Sequence, residues 1–136
     1  MLFRSLTLVK EVRHGHILEE LTGHPCAHAE DDDCRELISQ FSSGDINSLI
    51  ATTGVCGEGI DTKPAEYVII AGLGKSKNAF MQNIGRGIRK YPGKESCKVI
   101  LFLDRSHKWS LSHFNAQRKI LRDEYGVEAV KLELDL

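Results

Sequence analysis

The 136-residue chain has no long hydrophobic run. Its longest apolar stretches, 67–71 and 99–103, are the size of strands, far short of the ~20 residues of a membrane-spanning helix, and no membrane contact is expected. Met1-Leu2-Phe3-Arg4 lacks the basic-then-apolar layout of a signal segment, so we expect a cytoplasmic protein. An excess of one charge is missing as well: 18 Lys and Arg stand against 19 Asp and Glu, a net charge of −1. Any polyanion must then meet a local patch and not a global field. Paired cysteines are absent too. Cys26, Cys34, Cys56 and Cys97 form no C-x-x-C. The cluster that invites a zinc reading, His24, Cys26, His28 and Cys34, lacks the paired ligand spacing. Reduced, buried thiols and no metal are expected. No nucleophile–base pair stands out, since His107 and His113 beside the last helix read as surface residues.

What is present is a soluble composition, 41% hydrophobic and 27% charged, in a chain long enough for one self-sufficient core. No linker, repeat or low-complexity tract interrupts it, so 1–136 reads as one domain. Residues 5–9 read as a strand and 10–14 as a loop. Gly15 opens a short helix carrying Ile17, Leu18 and Leu21, which Gly23 ends, and 25–29 reads as a second strand. Asp31-Asp32-Asp33 is the strongest helix start in the chain, with carboxylates at a cap and in the first turn; a metal site is the weaker reading. Cys34, Leu37, Ile38 and Phe41 then recur at amphipathic spacing, and Ser43-Gly44 stops that helix. Strands follow at 48–52, 67–71 and 98–104. A helix starts at Ser76 or Asn78 and ends near Tyr91-Pro92-Gly93. A long helix at 110–125 shows Leu111, Phe114 and Leu121 on one face, with Gly126 just past its end, and 128–134 is a candidate edge strand. Alternating strands and helices predict a three-layer α/β/α, doubly wound, mainly parallel sheet. Such sheets bind ligands beyond the carboxyl ends of their strands, here the loops after Val9, Thr52, Ala71 and Asp104.

Three stretches carry chemistry. Gly72-Leu73-Gly74-Lys75-Ser76 imitates a phosphate loop, but the required first glycine falls on Ile69, inside a strand. A primary ATP site is excluded there, although Lys75 can still meet a phosphate. Ala51-Thr52-Thr53-Gly54-Val55-Cys56-Gly57-Glu58-Gly59-Ile60-Asp61 runs from a strand into a loop with three glycines, hydroxyls and a terminal carboxylate. Its backbone N–H groups and hydroxyls can approach a phosphate or sugar; a plain flexible crossover is the alternative. In Gln82-Asn83-Ile84-Gly85-Arg86-Gly87-Ile88-Arg89, helical spacing puts Phe80, Ile84 and Ile88 on one side and Gln82, Arg86 and Arg89 on the other. Gly85 and Gly87 each cost about 1 kcal/mol relative to Ala inside a helix, which points to close backbone approach or a frayed end. From Lys75 to Lys98, five lysines and two arginines face one acid, Glu95, a local basic patch.

These residues resemble those of superfamily 2 helicases. Residues 51–61 look like their motif V, and 82–89 match the motif VI pattern Q-x-x-G-R-x-x-R at every fixed position. The first strand and the loop after it look like motif IV, so the resemblance spans roughly 3–126. Lys75-Ser76-Lys77 makes the chain look closest to phage and bacterial DNA helicases of the phage T4 fork-remodelling type, with XPB-type repair helicases also similar, hence a bacterial or phage-infected cell. The resemblance implies the second RecA-like domain of an ATP-dependent DNA helicase or translocase. Arg86 and Arg89 would be arginine fingers, with Gln82 at the same interface. Gly59 and Asp61 would approach the nucleotide. Thr52, Thr53, Gly54, Lys75 and the loop at Arg13, His14 and Gly15 would hold a nucleic-acid backbone, DNA being the choice and RNA an alternative. Such a domain needs a first RecA-like domain, in the same full-length chain, to supply the phosphate loop, ATP and Mg²⁺. That domain is absent from 1–136, so the isolated chain is expected to be inactive. The chain departs from the family at Cys34, where an arginine is frequent and Arg35 stands one step closer to Phe41, which puts a nucleic-acid role for Arg35 in doubt. The non-enzymatic alternative is a stand-alone binding module or a partner supplying fingers in trans.

Overall fold

A computed structural model of the chain describes residues 3–52, 65–72, 97–102, 106, 108–126 and 130. Among these residues, five parallel strands form one sheet: β1 (Ser5–Val9), β2 (Cys26–Ala27), β3 (Ser48–Thr52), β4 (Tyr67–Gly72) and β5 (Lys98–Leu101), in the order β2-β3-β1-β4-β5. Three helices accompany them: α1 (Val12–Thr22), α2 (Cys34–Ser43) and α3 (Lys108–Tyr125). The parallel α/β sheet foreseen from the alternation of elements is therefore found.

Direction reversal explains the layers. The chain steps from β1 past β3 to β2, then back to β3. A right-handed crossover must change face when its direction changes, so α1 and α2 lie on opposite sides. Leu18 of α1 packs with Val9, Cys26 and Ile50 on one face. On the other, Cys34, Ile38 and Phe41 of α2 and Leu121 of α3 pack with Leu6, Leu8, Leu49, Ala51, Val68 and Ile70. Strand residues alternate between the two clusters, as a period of two requires. The inner strand β3 is buried on both faces from Leu49 to Thr52 and reads as a near-continuous apolar run, whereas β5 exposes Lys98 and Ile100.

Several boundaries differ from expectation. The segment 10–14 is not a loop up to Gly15, because α1 begins at Val12, with Glu11 at the N-cap. Gly15 lies inside the first turns, its N–H donating to the Glu11 carbonyl at 3.2 Å. The glycine is there for close approach: a Cβ would stand 2.6 Å from Cys26 Sγ, inside van der Waals contact. The strand foreseen at 25–29 is two residues long; Pro25, His28 and the turn-forming Ala29 lie outside the ladder. Asp33 holds the N-cap of α2 without a side-chain bond. The carboxylate that acts is Asp31, whose Oδ1 accepts from the Asp33 N–H at 3.0 Å. Gly44 closes α2 at φ 91°, and the Arg4 guanidinium occupies the place where a Cβ would point.

β4 extends to Gly72, one residue past the expected end. β5 is assigned only to Leu101, and of the residues expected to prolong it Phe102 lies outside the ladder and 103–104 outside the described residues. α3 starts two residues early. Of its expected stripe Leu121 is buried and Leu111 is exposed, and Gln117, outside that stripe, is buried as well. The foreseen helix after Ser76 and the edge strand at 128–134 lie outside the described residues, apart from Val130, which is assigned to no strand.

Candidate functional site

The carboxyl edge of the sheet is built around β1. Val9, its last residue, pairs with Thr52 of β3 on one side and Gly72 of β4 on the other. With strands about 4.8 Å apart, Thr52 and Gly72 end roughly 10 Å from each other, at the same edge. The segments 53–64 and 73–96 begin at these two ends. The topology thus starts the two segments that carry the glycine-bearing stretches on either side of one central strand. The register shifts between Leu8 and Val9, which face Ile70 and Gly72. Ala71 is left as a bulge, a device that re-aims a strand end.

Of the predicted site residues, Arg13, His14, Gly15 and Thr52 are described. Thr52 is 6% exposed, the last residue of β3 and next to Val9. Arg13 is exposed, His14 is half-buried, and both sit on the first turn of α1. A helix start leaves its first N–H groups without partners inside the helix, and Glu11 makes no side-chain capping bond. Gly15 is different: it is buried against Cys26 and its N–H is spent on Glu11. Gln82, Arg86, Arg89, Gly59, Asp61, Thr53, Gly54 and Lys75 lie outside the described residues, as do Cys56 and His107.

Sequence reasoning missed the polar cluster beside this edge. Glu19 reaches from α1 to the start of β2, its Oε2 accepting from the Cys26 N–H at 2.8 Å, and its Oε1 lies 3.5 Å from His16 Nδ1. The His16 and His28 rings meet edge to face at 5.1 Å. His28 Nε2 is 3.8 Å from Asp31 Oδ2, while its buried Nδ1 has no partner. The cluster joins α1 to the β2–α2 turn. No periodicity marks it, because its members come from three elements. Among the described residues, no three His, Cys, Asp or Glu side chains converge as metal ligands do.

Cys26 and Cys34 are buried free thiols. Burial pushes the Cys26 thiol from 9.0 up to about 11, with Glu19 and Asp31 adding to the rise. The folded state therefore holds its proton more tightly than the unfolded chain. Stability from this group is complete below pH 9 and is lost as pH rises towards 11. A urea titration across that range will show a falling midpoint for the native chain and a smaller fall for Cys26→Ala; equal falls would contradict the assignment.

Residues 7–91 match the model of the helicase conserved C-terminal domain. The Saccharomyces cerevisiae protein IRC3, provisionally named an ATP-dependent helicase, is 30% identical over 70 residues, which is 52% of this chain and 10% of that protein. The chain thus matches about a tenth of that relative's length. Among solved structures, the C-terminal domain of the DEAD-box protein Dbp5 superposes with a TM-score of 0.68 at 23% identity, covering 90% of this chain and 72% of that one. The Pyrococcus furiosus Hef helicase domain gives 0.59 at 18% identity, covering 85% of this chain and 24% of that one. At these identities the two structures establish the fold, a RecA-like one. With the family model matched over more than half its length, the chain belongs to the helicase conserved C-terminal domain family.

Proposed function

We propose that the chain is the second motor domain of an ATP-dependent superfamily 2 DNA helicase or translocase, completed by a first RecA-like domain that holds ATP and Mg²⁺. The observation that carries this reading is the carboxyl edge. Thr52 and Gly72 flank Val9, so the segments that carry the motif V-like and motif VI-like residues both start at the carboxyl edge, where an open α/β sheet meets its ligands.

On this reading Arg86 and Arg89 stabilise the charge that develops as the γ-phosphoryl group is transferred, with Gln82 at the same interface and Gly59 and Asp61 against the nucleotide. Thr52, Thr53, Gly54 and Lys75 hold the nucleic-acid backbone. So does the start of α1, where the expected loop contact becomes a helix N-terminus: the first-turn N–H groups favour a phosphate, Arg13 adds charge, and His14 lies beside them. Gly15 contributes packing and not a contact. Closure of the two domains recruits the arginines, and loss of the γ-phosphate releases them, so alternate grips on a strand advance the protein. Lys75-Ser76-Lys77 is the ground for placing the domain with the phage and bacterial fork-remodelling type, in the cytoplasm of a bacterial or phage-infected cell.

The domain holds half of an ATP site, so the purified 136-residue chain will not hydrolyse ATP, with or without DNA. Phosphate release assayed on the chain alone, then together with a first RecA-like domain, tests this. Turnover by the chain alone, surviving repurification, would sink the half-site argument. No turnover with the first domain present would select the stand-alone binding module instead.

A further inference from the structure

We infer that the outer face of α3 is a docking surface for the phosphate backbone of duplex DNA, an inference that rests on the motor reading above. At 100° per residue, Lys108, Ser112, Asn115, Lys119 and Arg122 share an arc of about 80°. Arg118 and Leu111 border it on one side. All seven are exposed, and the arc lies opposite the buried Gln117 and Leu121. On a chain whose net charge is −1, four cations are gathered along one face of one helix. Asp123 is the one acid close to the arc within α3. It is taken by Arg122, whose Nε is 3.2 Å from Asp123 Oδ1. Lys108 rests over the Trp109 ring, 5.1 Å from its centroid.

The strip is long. From Lys108 to Arg122 it runs about 21 Å at 1.5 Å per residue, the reach of several successive phosphates. It begins just after β5, beyond the carboxyl end of that strand, so it leads away from the edge where the motif-bearing segments leave the sheet. Its composition selects among polyanions. Ser112 and Asn115, between the cations, are residue types that donate to phosphate oxygens. A membrane-binding helix needs a broad apolar face beside its cations, and here only Leu111 and Trp109 are exposed apolar groups. A single strand is gripped by successive aromatic platforms, and α3 shows one exposed aromatic, already covered by Lys108. A rigid row of cations without stacking rings fits the fixed phosphate rails of a duplex.

The test uses the whole chain with Arg118→Gln and Lys119→Gln combined, followed by fluorescence anisotropy of a labelled DNA duplex across a salt series. Each lost duplex contact removes about 0.9 from the slope of log affinity against log salt, so the double variant will be shallower by about 1.8. The charge-keeping pair Arg118→Lys and Lys119→Arg will retain the slope, and an unchanged urea midpoint will show that folding is intact. An unchanged slope in the double variant overturns the docking face and leaves the motor reading standing, since that reading is judged by ATP turnover. The inference also falls if the parent chain binds no duplex. It falls again if the same substitutions weaken polyglutamate, acidic vesicles, single-stranded DNA or duplex RNA as much as duplex DNA.

Discussion

Alanine at Arg86 or Arg89 will lower the nucleic-acid-stimulated ATPase of the complete motor by about 10³–10⁵-fold, the range found for arginine fingers in other nucleotide hydrolases. At 1.36 kcal/mol per tenfold, that is roughly 4–7 kcal/mol of transition-state stabilisation. The expectation rests on the motor reading and on the match of 82–89 to Q-x-x-G-R-x-x-R. Lysine will not rescue either position. A guanidinium presents a planar fork of donors to two oxygens of a transferring phosphoryl group, whereas an ammonium is a single compact charge. Steady-state turnover, measured beside DNA affinity, separates a finger from a backbone contact: a finger variant loses turnover and keeps its grip on DNA at low nucleotide. Normal stimulated turnover in both alanine variants would remove the fingers from the mechanism.

The sheet was legible in the sequence because each strand is an apolar run bounded by turn residues, and each connection has the length of a helix. β1 and β3 fall where expected to the residue. Strand order is another matter. Nothing local to Val9 says that Thr52 and Gly72 will be its neighbours; that pairing is settled by which faces the crossovers cover. Helix starts were the weakest part. α1 begins at Val12 because the glycine taken as its first residue serves a contact with Cys26, a residue in another element. The stripe of α3 was legible at Leu121, which is buried, but not at Leu111: that residue looks like core by spacing and is exposed, while Gln117 is buried. Motif spacing located the candidate site, whereas the His16–His28–Glu19 cluster left no linear signal.

Phe41→Ala is the substitution that will cost the fold most among those considered. Among the described residues Phe41 is the largest of the fully buried side chains, 0% exposed, and belongs to the core that joins α2 to β1, β3 and β4 and to Leu121 of α3. Truncating a buried phenylalanine costs about 3–5 kcal/mol through lost transfer energy and the cavity left behind. A domain of this size has about 5–15 kcal/mol in total, so the variant will be marginal at best. The cavity opens within the core cluster that includes Leu6, Leu8 and Leu49, whose strands carry Val9 and Thr52 at the carboxyl edge. Loosening that face therefore weakens the platform that sets the spacing of the strand ends Thr52 and Gly72, and on the motor reading the complete protein will lose DNA-stimulated turnover at temperatures where the native protein keeps it. Leu111→Ala is the matched control: an apolar side chain of the same domain, but 46% exposed, with an expected change of about 0.5 kcal/mol or less. Urea denaturation of the three proteins decides the matter, and similar midpoints for Phe41→Ala and Leu111→Ala would show that α2 is not seated on the sheet through Phe41.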